Sequence, residues 1–198
     1  QSVATNVMAK WVAGEYTTEQ ALSKEDLMQS AYCQRYLQGA PHQISGVWQL
    51  ATAQDMQWFA RCVNEMGDVY AQAAIVAPID MSGIDWLPIG KVACPYAGKF
   101  NGGLYPLTNM NRPLFGTTNS ANIQGIAILG GDFGGMADYA AHTGSIIGHA
   151  TGKTVLSRSY STANMSSGTG DCGGLIGKVA GSGTIKDCYF AGNLTAGW

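Results

Sequence analysis

The sequence predicts an all-β chain with a helical N-terminal part: a parallel β-solenoid of about five coils, capped by an α-helix. Three observations predict it. Glycine supplies 27 of the 198 residues, most of them after residue 80, against about 14 at the usual share of roughly 7%. Beyond residue 73, short apolar runs alternate with Gly, Asn, Ser and Thr clusters, the pattern of strands joined by turns. A single ungapped shift of 29 residues then lays one stretch of the chain on another.

Residues 1–41 form a helical segment in this reading. Ser23-Lys24-Glu25-Asp26 resembles a helix start, with Ser23 as N-cap and acids in the first turn. A helix follows from about Lys24 to Gln38 and ends at Gly39-Ala40-Pro41. Residues 42–72 form the capping region. A short extended piece, His42-Gln43-Ile44, precedes a helix expected over 48–66. There Leu50, Ala53, Met56, Phe59, Ala60, Val63 and Met66 recur at helical spacing, and Gly67 is the stop.

Residues 73–198 hold the coils. The 29-residue shift carries Gly144-Ser145-Ile146-Ile147-Gly148 onto Gly173-Gly174-Leu175-Ile176-Gly177. It also carries Leu156 onto Ile185, Ser159 onto Cys188, Tyr160 onto Tyr189 and Asn164 onto Asn193. A weaker copy lies upstream: Phe115-Gly116 stands 32 before Ile147-Gly148, and Ile123 stands 33 before Leu156. One such coil cannot bury its apolar face alone, whereas stacked coils place like residue above like at about 4.8 Å. Leu156 and Ile185 then belong to an interior ladder, and Tyr160 and Tyr189 to a ring stack. Gly148 and Gly177 mark a corner without room for a side chain. The helix is placed to cover the first coil. Gly197-Trp198 follows the last coil without a cap, so either the stack continues or a neighbour covers it. A chain that starts at Gln1 with no signal segment reads as a mature or excised fragment.

Composition excludes several classes. Charged residues make up only 12% and the net charge is −2, with Lys and Arg scattered, so there is no nucleic-acid footprint. No apolar run approaches the roughly 20 residues of a membrane span. Cys33, Cys62, Cys94, Cys172 and Cys188 form no CxxC pair and no metal-ligand spacing with histidine, and read as small buried side chains.

Gly174-Leu175-Ile176-Gly177 resembles the G-L-U-G motif, in which U is apolar, and Ile185 to Gly192 resembles the strand that follows it. Ile79 to Gly83, Trp86 to Gly90, Lys99 to Leu104 and the helix region are also similar to segments of the GLUG-motif repeat family. The resemblance covers about residues 43–197. It implies a right-handed parallel β-helix from a large bacterial surface protein. It further implies a secreted or cell-surface location and a non-catalytic role in adhesion, ligand presentation or spacing. Partners would be a host protein, a glycan or neighbouring domains. Gly103-Leu104-Tyr105-Pro106 departs from the family pattern and predicts a distorted coil. Gly131 to Asp138 is an added loop, and the 130–142 segment is the first choice for contact.

No catalytic, cofactor or metal site is assigned. His142, Asp138 and Ser145 suggest a triad only on paper, because no G-x-S-x-G elbow exists. Asp132 and Asp138 share a Gly-rich loop without a calcium series. Asp80 and Asp171 read as turn formers. Trp48, Trp58, Trp86, Tyr96 and Tyr105 would either line a sugar-binding face or, in the favoured reading, pack between helix and coils. The alternative function is a carbohydrate-active lyase or hydrolase on the same fold, which needs two neighbouring carboxylates.

Overall fold

A computed structural model describes residues 39–133, 142–167 and 170–196. The helix expected over 24–38 lies outside them. The chain divides into two compact units, Gln1–Ala40 and Pro41–Trp198. The second unit is a stack of parallel coils.

One long sheet runs the length of the stack. It consists of β1 (Gln43–Ile44), β2 (Val47–Leu50), β3 (Gln72–Ile75), β5 (Lys99–Asn101), β8 (Asn122–Gln124), β13 (Val155–Ser157) and β18 (Thr184–Lys186), in that order. Only the β1–β2 pair is antiparallel; every other rung is parallel to the next. A second sheet stacks β4 (Ile79–Asp80), β6 (Pro106–Thr108), β9 (Ala127–Leu129), β14 (Tyr160–Ser161) and β19 (Tyr189–Phe190). A third stacks β7 (Phe115–Asn119), β12 (Ile147–Gly152) and β17 (Ile176–Gly181). Two shorter sheets hold β10 (Asp132–Phe133), β15 (Asn164–Ser167) and β20 (Leu194–Ala196), and β11 (His142–Thr143) with β16 (Asp171–Cys172). From residue 73 the long sheet contributes five parallel rungs, so the expected count of about five coils holds.

The 29-residue repeat is the physical register. Leu156 pairs with Ile185, Tyr160 with Tyr189, Ile147 with Ile176 and Gly152 with Gly181. The upstream offsets hold as well: Phe115 pairs with Ile147 and Ile123 with Leu156. Phe100, Ile123 and Leu156 form a closed apolar column, each at most 1% exposed. One buried hydroxyl, that of Ser159, finds partners within and across rungs. The Ser159 hydroxyl accepts from the Ile126 N–H at 3.0 Å and donates to the Ser157 carbonyl. Asn193 Nδ2 donates to Asn164 Oδ1 at 3.1 Å, and Asn164 Nδ2 donates to Asp132 Oδ1 at 2.9 Å. These asparagine bonds lie on the exposed side of the ladder.

The helix differs from expectation at its start. Trp48 and Leu50 belong to β2, and α1 runs Ala53–Met66. A capping box fixes this boundary. The Thr52 hydroxyl accepts from the Asp55 N–H, and the Asp55 carboxylate accepts from the Thr52 N–H at 2.9 Å. Gly67 ends the helix at φ 76°, as expected. The buried face of α1 sets Phe59 against Tyr96 and Phe100, with ring centroids 6.1 and 5.8 Å apart. Both rings reach Phe115, at 5.3 and 5.2 Å. Burial pushes the Tyr96 phenol far above its ordinary range, and Asp68 and Cys62 add to this; its hydroxyl donates to the Ala71 carbonyl at 2.9 Å.

The coil at Gly103-Leu104 keeps its register despite the odd sequence. Gly103 and Leu104 both take φ 60°, which confines the irregularity to the turn. Leu107 of β6 still pairs with Ile79 and Ile128.

Candidate functional site

The third sheet breaks the alternation of a strand. In β7 the closed side chains are Phe115 and Thr118; in β12 they are Ile147 and Ala150. Inward positions are thus three apart rather than two, and Gly116-Thr117 and Gly148-His149 are left on the outer side, where all four line one groove. Gly148 and Gly177, expected to mark a tight corner, lie inside β12 and β17; what holds is the lack of room for a side chain. A Cβ on Gly116 would sit 2.5 Å from the Gly90 carbonyl oxygen, and one on Gly148 would sit 2.9 Å from that of Gly116. A Cβ on Gly177 would stand 2.6 Å from the Thr143 nitrogen. Glycine is required here by close backbone approach across rungs.

The groove measures about 400 Å³. Gly90, Gly116 and Gly148 form its floor, on successive rungs. Pro88 and Pro113 line it, as does a small turn at Lys91–Ala93 closed by mutual Lys91–Cys94 backbone hydrogen bonds. Val92 at the turn tip is 77% exposed, an apolar residue held out in solvent beside an apolar groove. His142 and His149 complete the lining, with ring centroids 4.9 Å apart.

The histidines sit over a charged pair on the next coil. His142 pairs in register with Asp171, and His149 with Lys178. His142 Nδ1 is 2.8 Å from Asp171 Oδ2, close enough for an ion pair but off the line of a hydrogen bond. Lys178 Nζ lies 3.4 Å from the same oxygen. Asp171 is therefore a strand residue neutralised by its neighbours, which corrects the turn-former reading. The His149 imidazole is held below its ordinary value, first by desolvation, then by His142 and Lys178, with Asp171 opposing. A lowered histidine means that the unfolded chain binds the proton more readily. Stability owed to His149 is therefore intact above pH 6.5 and is lost as pH falls below it. The expected NMR titration midpoint of His149 lies below 6.5, and Lys178→Gln moves it upward; a midpoint above 6.5 in the native chain would refute this electrostatic account.

The other sequence candidates are dispersed. Ser145 is fully buried and donates to the Gly174 carbonyl, so it is no partner for His142. Asp138, and with it most of the 130–142 segment, lies outside the described residues. Asp132 accepts from Asn164, and no group of three or more His, Cys, Asp or Glu among the described residues is arranged to hold a metal. Asp80 is a turn former as expected. A hydrogen bond from Asn109 at 2.7 Å, then those from the Ser82 N–H and hydroxyl, hold its carboxyl below the usual range. Trp58, Trp86 and Tyr96 are buried, and Trp86 Nε1 donates to the Pro113 carbonyl at 2.9 Å. For these three, packing between helix and coils is the outcome. Cys62 is fully buried, while Cys94, Cys172 and Cys188 are half-buried and free. Burial pushes the Cys172 thiol up, away from the reactive thiolate.

A second, smaller pocket of about 230 Å³ lies between α1 and residues 85–87. Arg61, Asn64, Glu65 and Asp85 line it, and Asp85 stands 3.5 Å from Arg112 Nη1. It brings two carboxylates to one pocket, which the sequence reading did not foresee.

The fold defines the protein as a parallel β-solenoid with a helix in its N-terminal part. Compared with family models, curated proteins and solved structures, the chain gives no match. No helix among the described residues is long and apolar enough to cross a membrane.

Proposed function

We propose that the chain is a non-catalytic repeat module of a secreted or cell-surface bacterial protein, of the GLUG-motif kind. It serves adhesion, ligand presentation or spacing. The groove over Gly90, Gly116 and Gly148 carries the reading. Its floor has no side chains, so a flat face of a glycan or peptide can approach the backbone closely. Its lining offers Lys91, His142 and His149 for polar recognition and, among the described residues, no serine or cysteine as nucleophile; the Asp171 carboxylate beside His142 is paired with Lys178. The strand ladders hold that surface rigid.

The test is a glycan and host-protein array with the intact chain, a 134–141 deletion that keeps Phe133 and the groove residue His142, and a double variant, Lys91→Glu with Val92→Asp. Binding that survives the deletion and drops at least tenfold in the double variant assigns contact to the groove. An array with no binder removes adhesion and leaves spacing.

The carbohydrate-active alternative draws on the pocket with Glu65 and Asp85. Its weakness is that Asp85 has an 87% exposed side chain beside Arg112, whereas a general acid needs a sheltered carboxyl. Polysaccharide cleavage by the chain, lost in Glu65→Gln and in Asp85→Asn, would overturn the non-catalytic reading.

A further inference from the structure

The groove over Gly90, Gly116 and Gly148 is apolar in body and basic in charge. Pro88, Pro113, Val92 and Ala93 supply the apolar part. Of the remaining lining side chains among the described residues, Thr117 is neutral, Lys91, His142 and His149 are basic, and none is acidic. The backbone donors of the floor are already engaged. The Gly90 N–H donates to Asn64 Oδ1 at 2.8 Å, and the Gly116 N–H to the Ile89 carbonyl at 2.9 Å. A hydroxyl-rich sugar face gains little from such a floor, whereas an apolar side chain gives up nothing there.

The basic groups are unevenly matched. Asp171 lies 2.8 Å from His142 Nδ1 and 3.4 Å from Lys178 Nζ, so one carboxylate serves both. Lys91 and His149 have no ion-pair partner among the described residues. His149 Nε2 is enclosed and makes no hydrogen bond. A proton taken up by His149 therefore leaves a charge for a bound anion to offset.

We infer that the groove seats the C-terminal residue of a partner peptide, with its apolar side chain over the glycine floor and its free carboxylate toward Lys91 and the two histidines. A free small acid fits less well. It fills the groove and leaves Val92, 77% exposed, in water, whereas the residues preceding a peptide terminus cover it. The inference names the partner class of the same groove and rests on the module reading for that groove's being a contact surface. Acid strengthens the site. The charged and titratable groups around His149 are His142, Lys178 and Asp171 on neighbouring strands and Lys91 in the lining. Desolvation, then His142 and Lys178, hold its imidazole below the ordinary 6.5, with Asp171 opposing. A carboxylate brought beside it favours the protonated form, so by linkage the peptide binds more tightly as pH falls. The terminal carboxyl itself stays ionised down to about pH 4.

The experiment titrates the intact chain by NMR with the acetylated peptide Gly-Ser-Gly-Ser-Phe bearing a free C-terminal carboxylate, with the same peptide amidated, and with acetylphenylalanine. The free-acid peptide is expected to move the amide signals of Gly116, Thr117 and Gly148 and, at about pH 5.5, to bind about tenfold more tightly than the amide. Its affinity rises about threefold or more from about pH 7.5 to about 5.5, a gain that His149→Gln removes. Acetylphenylalanine binds several-fold more weakly than the peptide. Equal affinity of acid and amide overturns the inference, as do a peptide that does not bind and a gain in acid that survives His149→Gln. Acetylphenylalanine binding as tightly as the peptide also overturns it and assigns the groove to a free acid. The module reading falls on other evidence, polysaccharide cleavage, so the two failures are distinct.

Discussion

Phe59→Ala is expected to remove about 3–5 kcal/mol of folding stability. Phe59 is fully buried and is a central contact of α1 with the coils, beside Asn64, which bonds the backbone at Pro88 and Gly90. Its ring meets Tyr96 and Phe100, and both of those meet Phe115 a rung further on. Truncation leaves a cavity among rings whose backbones are fixed by ladder hydrogen bonds, so collapse around it is limited. The aromatic contacts add about 0.5–1.5 kcal/mol per pair beyond area. Urea denaturation of the variant is the measurement, with the midpoint falling at an unchanged slope if the helix stays docked. A fall in slope as well would mean that α1 has detached and the first coils have opened. A loss below about 1 kcal/mol would show that α1 does not cover the stack.

The coils were legible because β-solenoid register is written directly into sequence spacing. Each coil places residue above residue, so a constant coil length becomes a constant offset. That holds for Leu156 over Ile185 and Tyr160 over Tyr189. It fades toward the helix, where turns change length: Ala73 pairs with Phe100 at an offset of 27, and Phe100 with Ile123 at 23. No single shift finds both. The helix boundary was misplaced because Trp48 and Leu50 fit helical spacing while lying in a strand. The box formed by Thr52 and Asp55 was the better signal, since it reports backbone donors rather than apolar periodicity.

The candidate groove was half legible. Gly148 and Gly177 announced positions without room for a side chain, and His142 was already a candidate. The same 29-residue shift sets Asp171 on His142 and Lys178 on His149, a juxtaposition present in the sequence but not drawn from it. The Lys91–Ala93 turn was invisible, because an insertion in one coil has no counterpart to align with. The pocket beneath α1 was equally hidden: Glu65 and Asp85 are joined by the seating of a helix, which no offset encodes.

The second large effect is expected at the groove floor, where Gly116→Val should cost about 2–5 kcal/mol, from overpacking and lost rung hydrogen bonds together. The backbone of Gly116 needs no unusual φ, so conformational freedom is not the reason for glycine. Space is. The Gly116 N–H donates to the Ile89 carbonyl at 2.9 Å, and the Thr117 N–H donates to Gly90 at 3.1 Å. Those bonds set the rung separation, and a Cβ would lie 2.5 Å from the Gly90 oxygen. Admitting a branched side chain means parting the rungs and giving up one or both bonds. The same substitution at Gly130, where nothing lies within 4 Å but φ is +65°, separates crowding from backbone strain. Thermal unfolding of the two variants decides between them. A larger loss at Gly116 confirms that the floor is bare because the coils leave no room; an equal or larger loss at Gly130 would mean that φ, not rung spacing, is what glycine serves in this chain.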